Sequence, residues 1–125
     1  MNWSDYPSFA RYEFECRCGC GAADMDPDFM ERLQMLRLRC AFPFTITSGF
    51  RCEAYNQARG YTQTHATGKA ADIATQTGYR RFMLITEARA FGFTGIGVAS
   101  GFTHLDTLTP KEGPRPSSWH YPERN

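Results

Sequence analysis

Two histidines and two aspartates have the types and spacing that a metal-dependent reaction needs. His65 lies in a polar segment, and Asp72 follows seven residues later in AADIAT. His104 and Asp106 are two residues apart in FTHLDT, so on a β-strand they would share one face. Two imidazoles and a carboxylate suit a catalytic zinc with a fourth position for water, whose pKa the metal lowers to about 7. From spacing alone these residues also fit ordinary polar surface positions.

Five cysteines form a second group that could do chemistry: Cys16, Cys18, Cys20, Cys40 and Cys52. An odd number cannot be fully paired within one chain. The CRCGC run could bind a structural zinc, although it lacks the usual C-x₂₋₄-C spacing. A bond from Cys18 or Cys20 to a distant cysteine is an equal alternative, and Cys40 and Cys52 flank the first predicted strand. Free or buried thiols are the plainest interpretation.

The composition predicts one folded domain and excludes several kinds of partner. A chain of 125 residues and 14.2 kDa supports one core, and 42% apolar against 22% charged residues excludes a disordered tail. A net charge of +1 argues against nucleic-acid and membrane partners. The N-terminus has no basic and apolar signal pattern, so the chain is expected to be cytoplasmic as made.

Capping residues and hydrophobic periodicity predict alternating helices and strands. Helices are predicted over 27–43, up to residue 60 through FRCEAYNQARG, and over 77–91. Strands are predicted over 44–47, 70–75, 93–100 and 102–108, the last two joined by a hairpin at Ser100-Gly101.

These elements predict a single α+β domain over 1–125, with a small antiparallel sheet and flanking helices. Two segments are expected to be irregular: a Cys-rich N-terminal segment over 1–25 and a Pro-rich tail over 110–125.

Three ordered motifs make the chain resemble the zinc D-Ala-D-Ala carboxypeptidase family, which includes vancomycin-resistance dipeptidases and phage L-alanyl-D-glutamate endopeptidases. TSGFRCEAYN contains the S-G-[FY]-R motif, THATGKAAD contains H-x-x-G-x-A-x-D, and GFTHLDT contains a late H-x-D. The opening FECRCGCG is similar to the start of the small, single-domain, endolysin-like branch. The likeness covers about residues 14–106 and implies a Hedgehog/DD-peptidase-like fold.

The resemblance assigns roles to individual residues. It implies that His65, Asp72 and His104 bind one catalytic Zn²⁺. It also implies that Arg51, with Ser48 of the same motif, binds substrate. A guanidinium there would hold a carbonyl or carboxylate and stabilise a developing oxyanion, while a structural salt bridge is the alternative.

Two positions depart from the family pattern. Gln63 stands where the family usually has Ser, and Gly101 stands where many relatives have the catalytic acid. Asp106 is therefore our first candidate for the general base, with a carboxylate that orients a ligand as the alternative. His120 is the second candidate for proton transfer or oxyanion stabilisation, against a residue of a surface-packed tail.

The resemblance implies hydrolysis of peptide bonds in peptidoglycan stem peptides, by a zinc metallopeptidase of the carboxypeptidase or endolysin type. A chain without a signal would reach the cell wall after holin-dependent release from a phage-infected cell, or as part of a virion. The alternative is a catalytically inactive zinc-containing binding module, as in Hedgehog domains, or a virion structural module.

Overall fold

The computed structural model describes residues 1–122, which form one five-stranded sheet packed against α-helices. The helices and strands are α1 (Pro27–Cys40), β1 (Ile46–Ser48), α2 (Glu53–Arg59), β2 (Ala70–Ala74), α3 (Gly78–Ala88), β3 (Gly95–Val98), β4 (Phe102–Asp106) and β5 (Ser117–His120). Short 3₁₀ helices are found at Trp3–Asp5, Arg11–Phe14, Thr64–Thr67 and Arg89–Phe91. The predicted α+β class is confirmed.

Helix α1 begins where the sequence predicts and ends at Cys40, before Pro43, the residue expected to end it. The Asp26 side chain accepts a hydrogen bond from the backbone N–H of Phe29 at 2.9 Å, and Pro27 occupies the first helical position. The residue that caps its C-terminus is Ala41, whose φ of 59° is left-handed. Its buried face carries Phe29, Leu33 and other apolar residues, each contributing about 1.5–3 kcal/mol by burial.

The sheet has the order β1-β2-β4-β3-β5, and its first four strands are antiparallel neighbours. Strand β5 pairs in parallel with β3, through hydrogen bonds such as Tyr121 N–H to the Val98 carbonyl at 2.9 Å. The expectation of an irregular tail over 110–125 is therefore wrong for this strand; residues 123–125 lie outside the described residues. The prolines all precede or follow β5, where a missing N–H costs no ladder hydrogen bond, and β5 covers an edge that β3 would otherwise expose.

The N-terminal segment is part of the core. Tyr6, Phe9 and Phe14 are buried, and the rings of Phe9 and Phe14 meet edge to face with centroids 5.6 Å apart. The Phe14 carbonyl accepts a hydrogen bond from Phe50 N–H at 2.9 Å. This contact fixes residues 14–16 beside the chain that leads from β1 into α2.

Among residues 1–122, no helix combines the length and the apolar character that crossing a bilayer requires.

Candidate metal centre

Three polar side chains converge where β2 meets β4. The antiparallel register places Asp72 directly opposite His104, and the 3₁₀ helix at Thr64–Thr67 brings His65 to them. Asp72 Oδ1 lies 2.9 Å from His104 Nδ1, and His65 Nε2 lies 3.3 Å from each of these atoms. All three residues are buried.

These separations match the needs of a metal ion. Ligand atoms bound tetrahedrally at 2.0–2.1 Å lie roughly 3.3 Å from one another. The observed distances of 2.9–3.3 Å therefore allow a single ion to contact all three atoms at once. Two imidazole nitrogens and a carboxylate oxygen are a donor set that fits zinc.

The backbone fixes the orientation of His65. Its Nδ1 lies 2.8 Å from the Gly49 carbonyl oxygen, which can only accept a hydrogen bond. Nδ1 therefore carries the proton, and the lone pair of Nε2 points at Asp72 and His104. A ring nitrogen held in this way by a carbonyl is the usual support for a metal-binding histidine.

A buried ion pair fixes the orientation of His104. Its Nε2 lies 2.7 Å from Asp106 Oδ2, and Asp106 is fully buried. Arg115 donates to both carboxylate oxygens of Asp106, from Nε to Oδ1 at 2.8 Å and from Nη2 to Oδ2 at 2.7 Å. This bidentate contact holds the carboxylate against Nε2 and leaves Nδ1 free to face the other two ligands.

This geometry corrects the expectation that Asp106 is the general base. The carboxylate lies behind the His104 ring, on the side away from His65 and Asp72. Both of its oxygens are occupied by Arg115, and one also by His104. Asp106 is placed to orient a ligand, which is the alternative role considered from the sequence.

The metal-free centre keeps its carboxylates ionised. Burial by itself would raise the pKa of Asp72, but hydrogen bonds with His104 and His65 hold that pKa well below its usual range. Burial by itself would also raise the pKa of Asp106, but hydrogen bonds with Arg115 and His104 lower that pKa to about 2. Burial would lower the pKa of His104, yet hydrogen bonds with Asp106 and Asp72 raise it. A metal ion that binds here would therefore displace a proton from His104.

Two glycines of β3 make room for this arrangement. Gly95 pairs with Asp106 and Gly97 pairs with His104 in the β3–β4 register. A Cβ atom at Gly95 would collide with the Asp106 carboxylate, and one at Gly97 would collide with the Trp119 indole. The G-I-G pattern, with glycines two apart on one strand face, was the signal in the sequence for large side chains packed against this face.

The centre lies in a cavity of about 590 Å³. Its walls include His65, His104 and Arg51, together with four residues that sequence reasoning did not assign to the site, namely Glu112, Arg115, Trp119 and Tyr121. The Trp119 ring packs on the His104 ring with centroids 5.2 Å apart. Trp119 and Tyr121 lie on or next to β5, so the failure to predict this strand hid them.

The two residues expected to bind substrate occupy different positions. The Arg51 guanidinium packs over the Tyr61 ring at 5.0 Å, and within the described chain its buried Nε has no hydrogen-bond partner. Ser48 lies in β1 opposite Asp72 in register, but it is not among the described residues that line the cavity. Arg51 therefore presents an unused donor near the cavity, and Ser48 does not border it.

The structure does not bring His120 to the centre. Side chains alternate along β5, so Trp119 faces His104 while His120 points to the opposite face. There His120 lines a separate depression of about 650 Å³ with Ile85 and Val98. The expectation that His120 transfers a proton in the same site is therefore corrected.

The two departures from the family pattern have clear places. Gln63 Oε1 accepts a hydrogen bond from Asn56 Nδ2 at 3.1 Å, which ties the segment before His65 to α2. Gly101 is exposed in the turn between β3 and β4.

A family model described as Peptidase M15 matches residues 7–106. No curated protein compared with the chain matches it. The matched segment includes all three converging residues and Asp106, and it stops before Arg115 and Trp119.

Proposed function

The chain belongs to the Peptidase M15 family of zinc-dependent metallopeptidases, and from this premise we propose that it hydrolyses peptide bonds in peptidoglycan stem peptides. The observation that carries the proposal is the spacing of three potential ligand atoms at 2.9–3.3 Å in an open cavity. The choice of substrate rests on the resemblance to D-Ala-D-Ala carboxypeptidases and phage endopeptidases.

The ligands in this proposal are His65 Nε2, a carboxylate oxygen of Asp72 and His104 Nδ1. A zinc ion held there would supply Lewis-acid activation of a water molecule and of the peptide carbonyl. Asp106 and Arg115 keep Nδ1 of His104 aimed at the ion. Trp119 covers the ring and limits its access to bulk water.

Arg51 is the proposed substrate-binding residue. Its Nε is a buried donor with no partner among the described residues, and an unmet donor of this kind costs about 1–3 kcal/mol or more. Because Arg51 also lines the cavity, a substrate carbonyl or terminal carboxylate bound there would contact its guanidinium. Such a donor also stabilises negative charge that develops on the carbonyl oxygen.

Glu112 is the proposed general base in place of Asp106. It is the one carboxylate among the described residues that line the cavity. Lys69 contacts both of its oxygens at 3.1 Å, and the Thr109 backbone N–H donates to one of them, so the pKa of Glu112 is lowered. This ion pair is open to solvent and weak, whereas the pair of Asp106 with Arg115 is buried, so Glu112 is the carboxylate that is accessible to a proton from the cavity.

The proposal is tested by digesting purified peptidoglycan and identifying the products by mass spectrometry. We expect new muropeptides from the native chain, their loss with a chelator and their return with zinc. The Asp72→Ala variant should give none. A chain that retains zinc but releases no muropeptide would instead be a binding module, and one that binds no zinc would be a structural module.

The same digestion identifies the base. With zinc in excess, Glu112→Gln should lower the cleavage rate by roughly 10²–10⁴-fold and leave the zinc content unchanged, while Asp106→Asn should mainly lower zinc affinity. The reverse result would return the role of base to Asp106.

The resemblance to phage enzymes also suggests where the reaction takes place. We propose that the chain is made in the cytoplasm and acts on the cell wall after holin-dependent release or from a virion. Cleavage of intact walls from outside, without added membrane-disrupting agent, would favour the virion.

A further inference from the structure

Four of the five cysteines converge at one point and form a cluster separate from the His/Asp centre. The Sγ atoms of Cys16, Cys18, Cys20 and Cys52 all lie within 4.8 Å of one another. Cys52 Sγ is 3.7 Å from both Cys16 Sγ and Cys18 Sγ. We call these four residues the cysteine cluster.

The fold builds this cluster from two segments. Gly19 and Gly21 have φ values of 89° and 78°, and these left-handed turns fold CRCGC back on itself. The Cys16 N–H donates to the Ala22 carbonyl at 2.8 Å, which closes the loop. Cys52 reaches it because the chain is paired at Phe14 and Phe50 two residues earlier on each side.

The distances decide between the chemical states of these thiols. A disulfide needs sulfurs about 2.05 Å apart, which the cluster does not show. Four sulfurs bound tetrahedrally to zinc at 2.3 Å lie roughly 3.8 Å apart. The observed 3.7 Å agrees with the second arrangement. The Cys52 backbone N–H also points at Cys16 Sγ at 3.4 Å, a contact that favours the thiolate.

We propose that the cysteine cluster binds a second, structural zinc ion through four thiolates. Cys52 supplies the ligand that the C-x-C-x-C run lacks. The proposal also accounts for the odd number of cysteines, since the fifth, Cys40, is buried on α1 outside the cluster. Four thiolates without an open position make a closed site, which stabilises structure and performs no catalysis.

The bound ion would couple the N-terminal segment to the substrate side of the cavity. Cys52 directly follows Arg51, and the Arg51 N–H donates to the His65 carbonyl at 3.3 Å. A metal bond at Cys52 therefore fixes the backbone of residues 49–52. This backbone carries both the Arg51 guanidinium and the Gly49 carbonyl, which orients His65.

The test counts zinc per chain by elemental analysis, on protein purified in a reducing buffer. We expect two zinc ions in the native chain, one in the Cys18→Ser/Cys20→Ser double variant and two in the matched Cys40→Ser control. Equal zinc content in the native chain and the double variant would overturn the proposal. So would a native mass two hydrogens short, the sign of a disulfide, together with no cysteine-dependent zinc.

A second measurement keeps the test decisive if the double variant does not fold. Asp72→Ala should lose the zinc of the His/Asp centre and keep the other. After its zinc has been removed with a chelator in reducing buffer, cobalt added to this variant should give the sulfur-to-cobalt charge-transfer band in the near ultraviolet. Absence of that band would overturn the cysteine site, whereas absence of muropeptide release by the native chain would overturn only the proposed peptidase.

Discussion

The His/Asp centre and the cysteine cluster hold potential ligands in opposite ways. Asp72 and His104 are buried on paired strands. The rings of His65 and His104 are fixed before any ion binds, because the Gly49 carbonyl and the Asp106 carboxylate accept hydrogen bonds from them. Cys18 and Cys20 are exposed on a loop between short elements. A site built on a sheet is therefore preformed and can leave a coordination position open. A site built on a loop must obtain its order from the ion.

The largest effect on cleavage should come from Asp72→Ala, which removes one ligand of the His/Asp centre. Loss of the central carboxylate leaves two neutral ligands, so we expect zinc content to fall by one per chain. Metal-assisted charge stabilisation is worth several kcal/mol, so cleavage should fall by roughly 10³-fold or more. Muropeptide release and elemental analysis measure the two effects. Asp24→Ala, on an exposed loop aspartate, should change neither, and unchanged cleavage by Asp72→Ala would remove the His/Asp centre from the mechanism.

Asp106→Asn should have a smaller effect, because it disturbs only the support of one ligand. Partners that orient a metal ligand typically contribute 10–100-fold in metal affinity or activity, and we expect a loss in that range. Titration against a competing chelator gives the affinity. An affinity equal to that of the native chain would show that Asp106 does not orient His104.

Acidification should release zinc from the preformed centre at a higher pH than an isolated imidazole would predict. The pKa of His104 is raised in the metal-free chain, so the proton stays on the ring to a higher pH and competes with zinc. Below that raised pKa the zinc affinity should fall about tenfold per pH unit, starting above the ordinary imidazole value of about 6.5. Chelator competition over a pH series, in the Cys18→Ser/Cys20→Ser background, measures this onset. An onset at or below 6.5 would contradict the raised pKa.

The smallest effect on turnover should come from the cysteine cluster itself. Cys18→Ser/Cys20→Ser leaves all three residues of the His/Asp centre in place, so cleavage of a saturating substrate should fall less than tenfold. An ion whose free concentration is a thousandfold above its Kd stabilises the fold by about 4 kcal/mol. Because the double variant loses this stabilisation, its Tm should fall by roughly ten degrees or more. Calorimetry compares it with Cys40→Ser. An unchanged Tm would mean that the cluster does not stabilise the fold.

The sequence was sufficient for the local features of the molecule. Asp26-Pro27 marked the start of α1, and the spacing of His104 and Asp106 predicted that both lie on one face of a strand. The ordered motifs then predicted the family, which the match over residues 7–106 confirms.

Features that depend on long-range pairing could not be predicted in this way. Strand β5 exists because β3 offers it an edge, and the prolines on either side of β5 hide this strand in the sequence. The orientation of the His104 ring depends on Arg115, eleven residues away and beyond the H-x-D motif. Cys52 meets the other cysteines through contacts between distant segments, such as the hydrogen bond between Phe50 N–H and the Phe14 carbonyl.

The connection between β4 and β5 separates the potential metal ligands from the residues that support them. The three converging side chains all lie at or before residue 104 in the chain. Arg115, which holds Asp106, and Trp119, whose indole packs on the His104 ring, lie after this connection. A single proteolytic cut within residues 109–113 would leave the three potential metal ligands on one fragment and the supporting residues Arg115 and Trp119 on the other. Residues 109–112 are exposed, and a cut there would weaken the support of His104 without removing any of the three converging residues.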